Sequence, residues 1–247
     1  MTHLVTIQDS KMSLHHFCYR KETGAENMAT DMWLLEHMHS WSGQVFRRYG
    51  WAKPQITFGY GQKADWVIQE TGKDLTSLVR RPTGGGIVHH GTDLTYCLVL
   101  SKGSVGEQMP PMQLYGLIHQ RWGEVLGTHN IETCLMPCPE KNRSGIPGEC
   151  FKEPVGRDLM NGNATRKLGG AAMKRTRRGV LIQGTLELRD WPNLDHETIE
   201  QHFLQLLAKD LDERISPIDW PVDLEAERLP LVETYSSSCW TRERKTP

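Results

Sequence analysis

Residues 80–90 read Arg80-Arg81-Pro82-Thr83-Gly84-Gly85-Gly86-Ile87-Val88-His89-His90. Three glycines in a row between strand-like flanks cost backbone entropy, so a structural or chemical need must keep them there. Without Cβ atoms, a ligand can lie against the main chain and accept hydrogen bonds from its N–H groups. No Gly-Lys-Ser/Thr follows, which excludes a Walker loop, and the spacing does not fit a dinucleotide fingerprint. The stretch reads as a backbone cradle for an acyl carbonyl or a phosphate, with Arg80 and Arg81 near its mouth. A flexible hairpin turn is the plainer alternative. In the strand that follows, His89 and His90 alternate to opposite faces. His90 can be catalytic or, as readily, a buried structural histidine.

Outward from this loop, residues 87–90 and 94–100 read as strands, separated by the turn-like Gly91-Thr92-Asp93. Upstream, 44–49, 55–60 and 77–81 are strand-like, and 63–70 makes a short helix. Residues 25–39 place Met28, Met32, Leu35 and Met38 at helical spacing, with Asn27 as N-cap. Downstream, 112–126 is helical through Leu114, Leu117, Ile118, Trp122 and Val125. Residues 137–154 form a long loop rich in Pro, Gly and charge, a length that is usually functional or disordered. Residues 158–160 and 167–173 flank a hairpin signal at Asn161-Gly162-Asn163. A strand at 179–188, a helix at 197–211, a short helix at 224–233 and a polar, basic tail complete the chain. These elements predict an α+β fold with mixed and antiparallel sheets flanked by helices, in a single domain over residues 1–247.

Composition narrows the function classes. Hydrophobic residues make up 38% and charged residues 24%, as in ordinary soluble proteins. A net charge of -1 argues against general nucleic-acid binding, which needs a basic excess. No apolar run approaches the ~20 residues of a membrane span. The first residues lack the charged start and long apolar stretch of a signal peptide, so a cytoplasmic protein is expected, without a membrane partner. Six cysteines, at 18, 97, 134, 138, 150 and 239, are scattered over a long chain. They read as buried thiols, a nucleophile or a metal site rather than disulfides. A zinc site on Cys134-Leu-Met-Pro-Cys138 with Cys150 and a histidine lacks a second well-spaced pair, and no metal is expected.

A second glycine-rich stretch reads Arg166-Lys167-Leu168-Gly169-Gly170-Ala171-Ala172-Met173. A lysine beside two glycines can point into a ligand cleft, where its ammonium polarises a carbonyl, stabilises an oxyanion or binds a phosphate. An exposed lysine in a basic stretch is the bland alternative, since Lys174, Arg175, Arg177 and Arg178 follow.

The two stretches together resemble the lipoate-protein ligase and octanoyltransferase family. The resemblance is carried by Arg-Arg-x-x-Gly-Gly-Gly-x-Val-x-His from Arg80 to His90, by Asp93, Leu94 and Tyr96 after it, and by Lys167-Leu-Gly-Gly-Ala-Ala. Weaker echoes are Gly24-Ala-Glu-Asn-Met-Ala29 and the Tyr235…Trp240 ending. The resemblance implies the biotin/lipoate ligase-like catalytic fold, with an acyl chain held beside Lys167. By that resemblance Arg80, Arg81, Gly84, Gly85, Gly86, His90, Gly169, Gly170 and Ala171 are substrate-binding candidates. Two departures stand out. Relatives commonly have Ser-Ala-Gln where this chain has Ala171-Ala172-Met173, and often His-Gly where it has Gln183-Gly184, so no polar contact is carried over at either place.

The family runs two chemistries. Ligases activate free lipoate with ATP and Mg; octanoyltransferases take octanoate from acyl carrier protein through a cysteine thioester and need no cofactor. Cys150-Phe151 resembles the nucleophile position of the second branch. A thiolate is the competent nucleophile, a nearby ammonium such as Lys167 would lower the thiol's pKa from about 8.5, and loop N–H groups can hold the oxyanion. Many single-chain ligases carry a further C-terminal domain of about a hundred residues, for which this chain has no room after Lys167. The expectation is therefore an octanoyl or lipoyl transferase acting on a lipoyl-domain lysine through Cys150 and Lys167. An ATP-dependent lipoate ligase or its catalytic subunit is the alternative, and a non-catalytic module binding acyl groups or carrier protein the lesser one. Acidic carrier and lipoyl domains would need a local basic surface, for which Arg166, Lys174, Arg175, Arg177 and Arg178 are candidates.

Overall fold

A computed structural model describes residues 12–41, 43–138 and 148–246. The N-terminal residues read above for a signal peptide, and 139–147 of the long loop, lie outside these. The described chain opens with β1 (Ser13–Glu22) and α1 (Gly24–Glu36). Thr23, not Asn27, caps this helix. Its side chain accepts from Glu26 N while Glu26 Oε2 accepts from Thr23 N at 2.8 Å, so two orphan donors are satisfied reciprocally. Asn27 lies inside the first turn, fully buried, and donates to Gly50 O at 2.9 Å.

There follow β2 (Gly43–Trp51), β3 (Gln55–Phe58), α2 (Ala64–Thr71), β4 (Leu78–Arg80), β5 (Val88–His90) and β6 (Leu94–Ser101). Next come α3 (Val105–Gln108), α4 (Pro111–Gly127), β7 (Thr133–Leu135), β8 (Leu159–Asn161), β9 (Lys167–Arg175) and β10 (Gly179–Leu186). The last elements are α5 (His196–Leu211), β11 (Arg214–Ile218), α6 (Leu224–Ser236) and α7 (Ser238–Glu243).

Eight strands make one sheet in the order β11-β1-β2-β6-β10-β9-β8-β7, and β4-β3-β5 make a second. The β11, β1 and β2 edge is parallel and the rest of the large sheet antiparallel, so the mixed α+β class holds. Sequence reading and structure part at Gly91-Thr92-Asp93. The strands on either side do not pair with each other: β5 belongs to the small sheet and β6 to the large one. The turn carries the chain from one sheet to the other.

The central strands are apolar without alternation because both of their faces are covered. Along β6, Tyr96, Leu98 and Leu100 pack with α4 and α5, while Cys97 and Val99 pack with α1. Trp122 of α4 and Phe203 of α5 stack in parallel with centroids 3.9 Å apart, joining the two helices over that face. Such an aromatic pair adds about 1 kcal/mol beyond its buried area. Among the described residues no helix is long and apolar enough to cross a membrane.

Where β2, β6 and the end of α5 meet, a buried acid sits in an unusual setting. Gln44 Nε2 donates to Glu213 Oε1 at 2.8 Å, and the other Glu213 oxygen has no partner among the described residues. Burial pushes the Glu213 carboxyl up to about 7, against the Gln44 bond that pulls it down. Its folded pKa thus exceeds the unfolded one, so its contribution to stability is complete below the ordinary glutamate range and lost as pH rises through 7. We expect wild type to lose up to about 3 kcal/mol relative to Glu213→Gln between pH 4 and pH 8, read from urea midpoints. Parallel pH profiles for the two proteins would contradict this assignment.

Candidate active site

The glycine loop owes its place to topology. β4 pairs parallel with β3 on one side and β5 antiparallel with it on the other, so residues 81–87 must cross over the end of β3. The crossing is tight: a Cβ on Gly59, just past β3, would run into Gly85 O. Gly85 itself has φ 87, in the left-handed region that L side chains rarely adopt. The loop is therefore no free hairpin turn. Arg81 tightens it from inside, with Nη2 donating to Gly84 O at 2.9 Å and Gly86 O at 2.8 Å.

The same loop receives Cys150. Ile87 N donates to Gly148 O at 2.8 Å and Cys150 N to Ile87 O at 3.0 Å, so residues 148–150 run alongside Ile87 like a short parallel strand. From the other side comes Lys167, the first residue of β9. Its Nζ donates to Cys150 Sγ at 3.1 Å and pairs with Asp158 Oδ2 at 2.7 Å, and its side chain is 2% exposed. Phe151 lies beside it, with Nζ 5.6 Å from the ring centroid. Val155 N holds the Asp158 carboxylate at 2.7 Å. Burial works against the ammonium, but Cys150 and then Asp158 outweigh it and leave the Lys167 pKa raised. Lys167 is thus a firm cation, a donor of hydrogen bonds and not a base. Gly170 makes room for it: a Cβ there would sit 2.6 Å from both Lys167 Cε and Nζ.

Between the loop and β9 lies a narrow, largely apolar cleft. Its apolar wall includes Met28, Trp51, Val88, Ala171 and Ala172, with Gly85 and Gly170 as gaps in it. Its polar groups include Arg81, His90, Cys150, Gln183 and Thr185. Such a site can hold an aliphatic chain against one wall and bring a polarised carbonyl to the sulfur.

His90 is buried and has both ring nitrogens engaged. Its Nδ1 lies 2.7 Å from Asp93 Oδ2 and its Nε2 2.8 Å from Thr57 Oγ1. Burial pulls the imidazole pKa down, against Asp93, while Asp93 is held well below the usual carboxylate range by His90 and its other donors. A neutral ring beside a carboxylate must donate through Nδ1, so Nε2 accepts from the Thr57 hydroxyl. That hydroxyl in turn accepts from Arg81 Nη1 at 2.7 Å. The chain Arg81–Thr57–His90–Asp93 is therefore fully paired, and Trp51 stacks on the ring at 4.0 Å. His90 shapes the cleft wall rather than moving a proton to a ligand. His89 is exposed on the opposite side.

Several candidates lie elsewhere. Arg80 is buried beneath the loop, not in the cleft lining, and donates to Tyr60 O, Gln62 O and Thr241 O at 2.6, 2.7 and 3.0 Å. Gly84 has open space around it, and Gly169 packs against Leu186 on the helix-covered face. Of the basic residues, Arg166 pairs with Asp190, Arg175 donates to Glu107 O and Met109 O, and Arg178 to Glu36 O. Cys134 Sγ contacts Asn161 O at 3.4 Å, and among the described residues no group of three or more His, Cys, Asp or Glu could hold a metal ion. The residue that sequence reading missed is Asp158. Its place at the salt bridge depends on the pairing of β8 with β9, which no local pattern announces.

Residues 23–203 match the model of the lipoyl protein ligase A/B catalytic domain family. The chain is 33% identical over 175 residues to an octanoyltransferase LipM of Carboxydothermus hydrogenoformans, which covers 68% of this chain and 62% of that protein. With an octanoyltransferase LipM of Oceanobacillus iheyensis it shares 35% over 172 residues, 66% of this chain and 59% of that one. The chain thus spans about three fifths of the length of these relatives. A lipoate-protein ligase A bound with ATP superposes with TM-score 0.70 over 94% of this chain and 99% of its own, at 16% identity. A bi-partite lipoate protein ligase from Thermoplasma acidophilum gives TM-score 0.67 over 94% and 96%, at 14% identity. The fold is that of the lipoate-protein ligases.

The buried relay makes its own demand. Thr57→Val leaves an Arg81 N–H and His90 Nε2 without partners, and an unmet buried polar group costs about 1–3 kcal/mol. A drop of about 2 kcal/mol in the urea unfolding free energy is expected, with Thr57→Ser close to wild type. Equal losses in both variants would remove the hydroxyl from the argument.

Proposed function

The chain belongs to the lipoyl protein ligase A/B catalytic-domain family, and from that premise we propose that it is an acyltransferase passing an octanoyl or lipoyl group to a lysine of a lipoyl domain. It acts in the cytoplasm as a single catalytic domain, takes its acyl group from acyl carrier protein, and uses no cofactor, nucleic acid or membrane. The observation that carries this reading is the Cys150 thiol held 3.1 Å from the Lys167 ammonium beside an apolar cleft. The curated relatives named octanoyltransferase support it.

The geometry suggests the following course. The acyl chain lies along Met28 and Trp51, and Arg81, Gly85 and Gly170 flank its head. The Cys150 thiolate attacks the thioester carbonyl, a new C–S bond forms, and the carrier's C–S bond breaks to release its thiol. Lys167, a cation throughout, faces the oxygen as negative charge develops on it, which is where a preorganised donor lowers a barrier. Asp158 keeps the ammonium in place while the sulfur's charge comes and goes. The acceptor amine then attacks the Cys150 thioester, an amide forms, and the thiolate is restored. The amine's proton balances the one taken up by the departing carrier thiol.

An ATP-dependent lipoate-protein ligase is the alternative, supported by the superposition with such ligases. It would require ATP and Mg and give Cys150 no covalent part. Arg81, without a carboxylate partner among the described residues, and the open space at Gly84 fit a phosphate there.

Intact mass after mixing the protein with octanoyl-acyl carrier protein and no ATP decides between the two. A gain of one octanoyl group, lost in Cys150→Ala, is expected. A lipoyl domain modified only with ATP and free acid would overturn the transferase reading. Binding of octanoate with neither adduct nor product would leave a module without chemistry.

Gly170→Ala probes the ammonium without removing it. The new methyl must displace Lys167 from Cys150, so octanoyl transfer should fall at least roughly a hundredfold, the loss of about 3 kcal/mol of oxyanion stabilisation. The same methyl crowds the buried pair of Lys167 with Asp158, so the melting temperature should fall as well, and transfer is read well below it. Unchanged transfer rates would show that Lys167 need not touch the sulfur.

A further inference from the structure

On the far side of the glycine loop, two cations converge on one exposed ring. Lys174 Nζ lies 5.4 Å and the Arg244 guanidinium 5.5 Å from the centroid of Tyr60, whose side chain is 38% exposed. Neither cation has a carboxylate partner among the described residues. A third cation, the buried Arg80, has donors on Tyr60 O and Gln62 O. Arg244 reinforces the burial that pulls Arg80 down to about 10, so positive charge here is crowded rather than balanced. Clustered surface cations usually alternate with acids; an uncompensated set beside a ligand cleft selects an anion.

The cluster is tied to the cleft on both sides. Tyr60 N donates to Thr83 O at 2.8 Å, and Gly59 before it packs under Gly85. On β9, Gly170, Ala172 and Lys174 share one face by strand alternation, the first two lining the cleft. Lys174 lies four positions along β9 from Gly170, against which Lys167 lies, a run of roughly 13 Å at strand rise. The cations therefore stand at the end of the cleft wall remote from Cys150. Arg244 reaches the ring because it ends α7 in a left-handed turn, φ 62.

We propose that Lys174, Arg244 and Tyr60 form a subsite for the phosphate of the acyl donor. The inference rests on reading the cleft as the place where that donor binds. An extended donor with its carbonyl at Cys150 would carry its phosphate outward along β9 to these cations. Lysine serves as a point charge and arginine as a planar donor fork. The tyrosine ring holds both side chains over it before the anion arrives, which lowers the ordering cost. Two sources share this chemistry: the phosphodiester at the root of a carrier protein's thioester arm, and a nucleotide phosphate.

Calorimetry on the full chain tests this with paired probes, 4′-phosphopantetheine against pantetheine and adenosine monophosphate against adenosine. For wild type we expect at least one phosphate-bearing member to bind roughly tenfold more tightly than its partner, the worth of one charge-assisted hydrogen bond. The pair showing the difference identifies the source. In the double variant Lys174→Met, Arg244→Gln that ratio should fall to near one. Tyr60→Leu, which keeps both charges but frees them, should lower it in part. Arg177→Met, which removes an exposed charge from the same hairpin, should keep it. A wild type indifferent to both phosphates, or a double variant that keeps the ratio, overturns the subsite. Because binding is read without acyl chemistry, this result is separate from whether Cys150 ever forms a thioester.

Discussion

An ammonium taken out of water needs a negative partner close by, and the Lys167–Asp158 pair meets that need beside the cleft, next to Cys150. Removing either partner of a buried pair costs several kcal/mol because the other is left uncompensated. The strands must therefore bring β8 and β9 together before the lysine can turn inward, and Gly170 must be small enough to let it. The thiol enters this arrangement as a second acceptor, 3.1 Å from the same nitrogen. Its position comes from an unrelated source, the pairing of residues 148–150 with Ile87. Three separate constraints of the backbone thus converge on one nitrogen atom.

Behind the cleft a second buried network ties the same loop to the helices. Thr83 Oγ1 donates to Gln183 Oε1, and Gln183 Nε2 donates to Asp31 Oδ2, each at 2.6 Å. Asp31 pairs with Arg47, Arg47 with Glu22, and Glu22 with Arg228 of α6. Burial lowers the Arg47 pKa, yet Asp31, Tyr49 and Glu22 more than reverse it. Every charge in this line is answered, which is the condition for polar groups in a core to specify one arrangement rather than to loosen it. Gln183 joins the loop to the network with a neutral amide that does not titrate.

Much of this was legible in the sequence. The periodic helices at 112–126 and 197–211, the strands β6 and β10, and the Asn-Gly-Asn hairpin all stand where local pattern placed them. The structure also brings Lys167 to within 3.1 Å of Cys150, two residues singled out by resemblance to a family and not by local pattern alone. What escaped reading depends on distance along the chain. β1 lost its alternation to a register shift between Phe17 and Arg20. β11 contains Pro217, which argues against a strand except at a sheet edge, where this one lies. The polar tail holds α7, whose Ser237 accepts from Trp240 N. Arg80 looked like a ligand-binding residue because arginine beside glycines suggests an anion; its guanidinium instead gathers backbone carbonyls. Asp158 has no signature apart from its partner.

The seating of Arg80 has a consequence for the life of the chain on the ribosome. Trp240 Nε1 donates to Arg80 O at 3.0 Å, and Arg80 Nε donates to Thr241 O. The floor of the glycine loop is closed by residues made some 160 positions later. Domains tend to organise as they are synthesised, beginning from the N-terminus. While those residues are still unmade, the loop lacks the contacts that close it from beneath. The floor of the loop therefore takes its final shape only once α7 has been made.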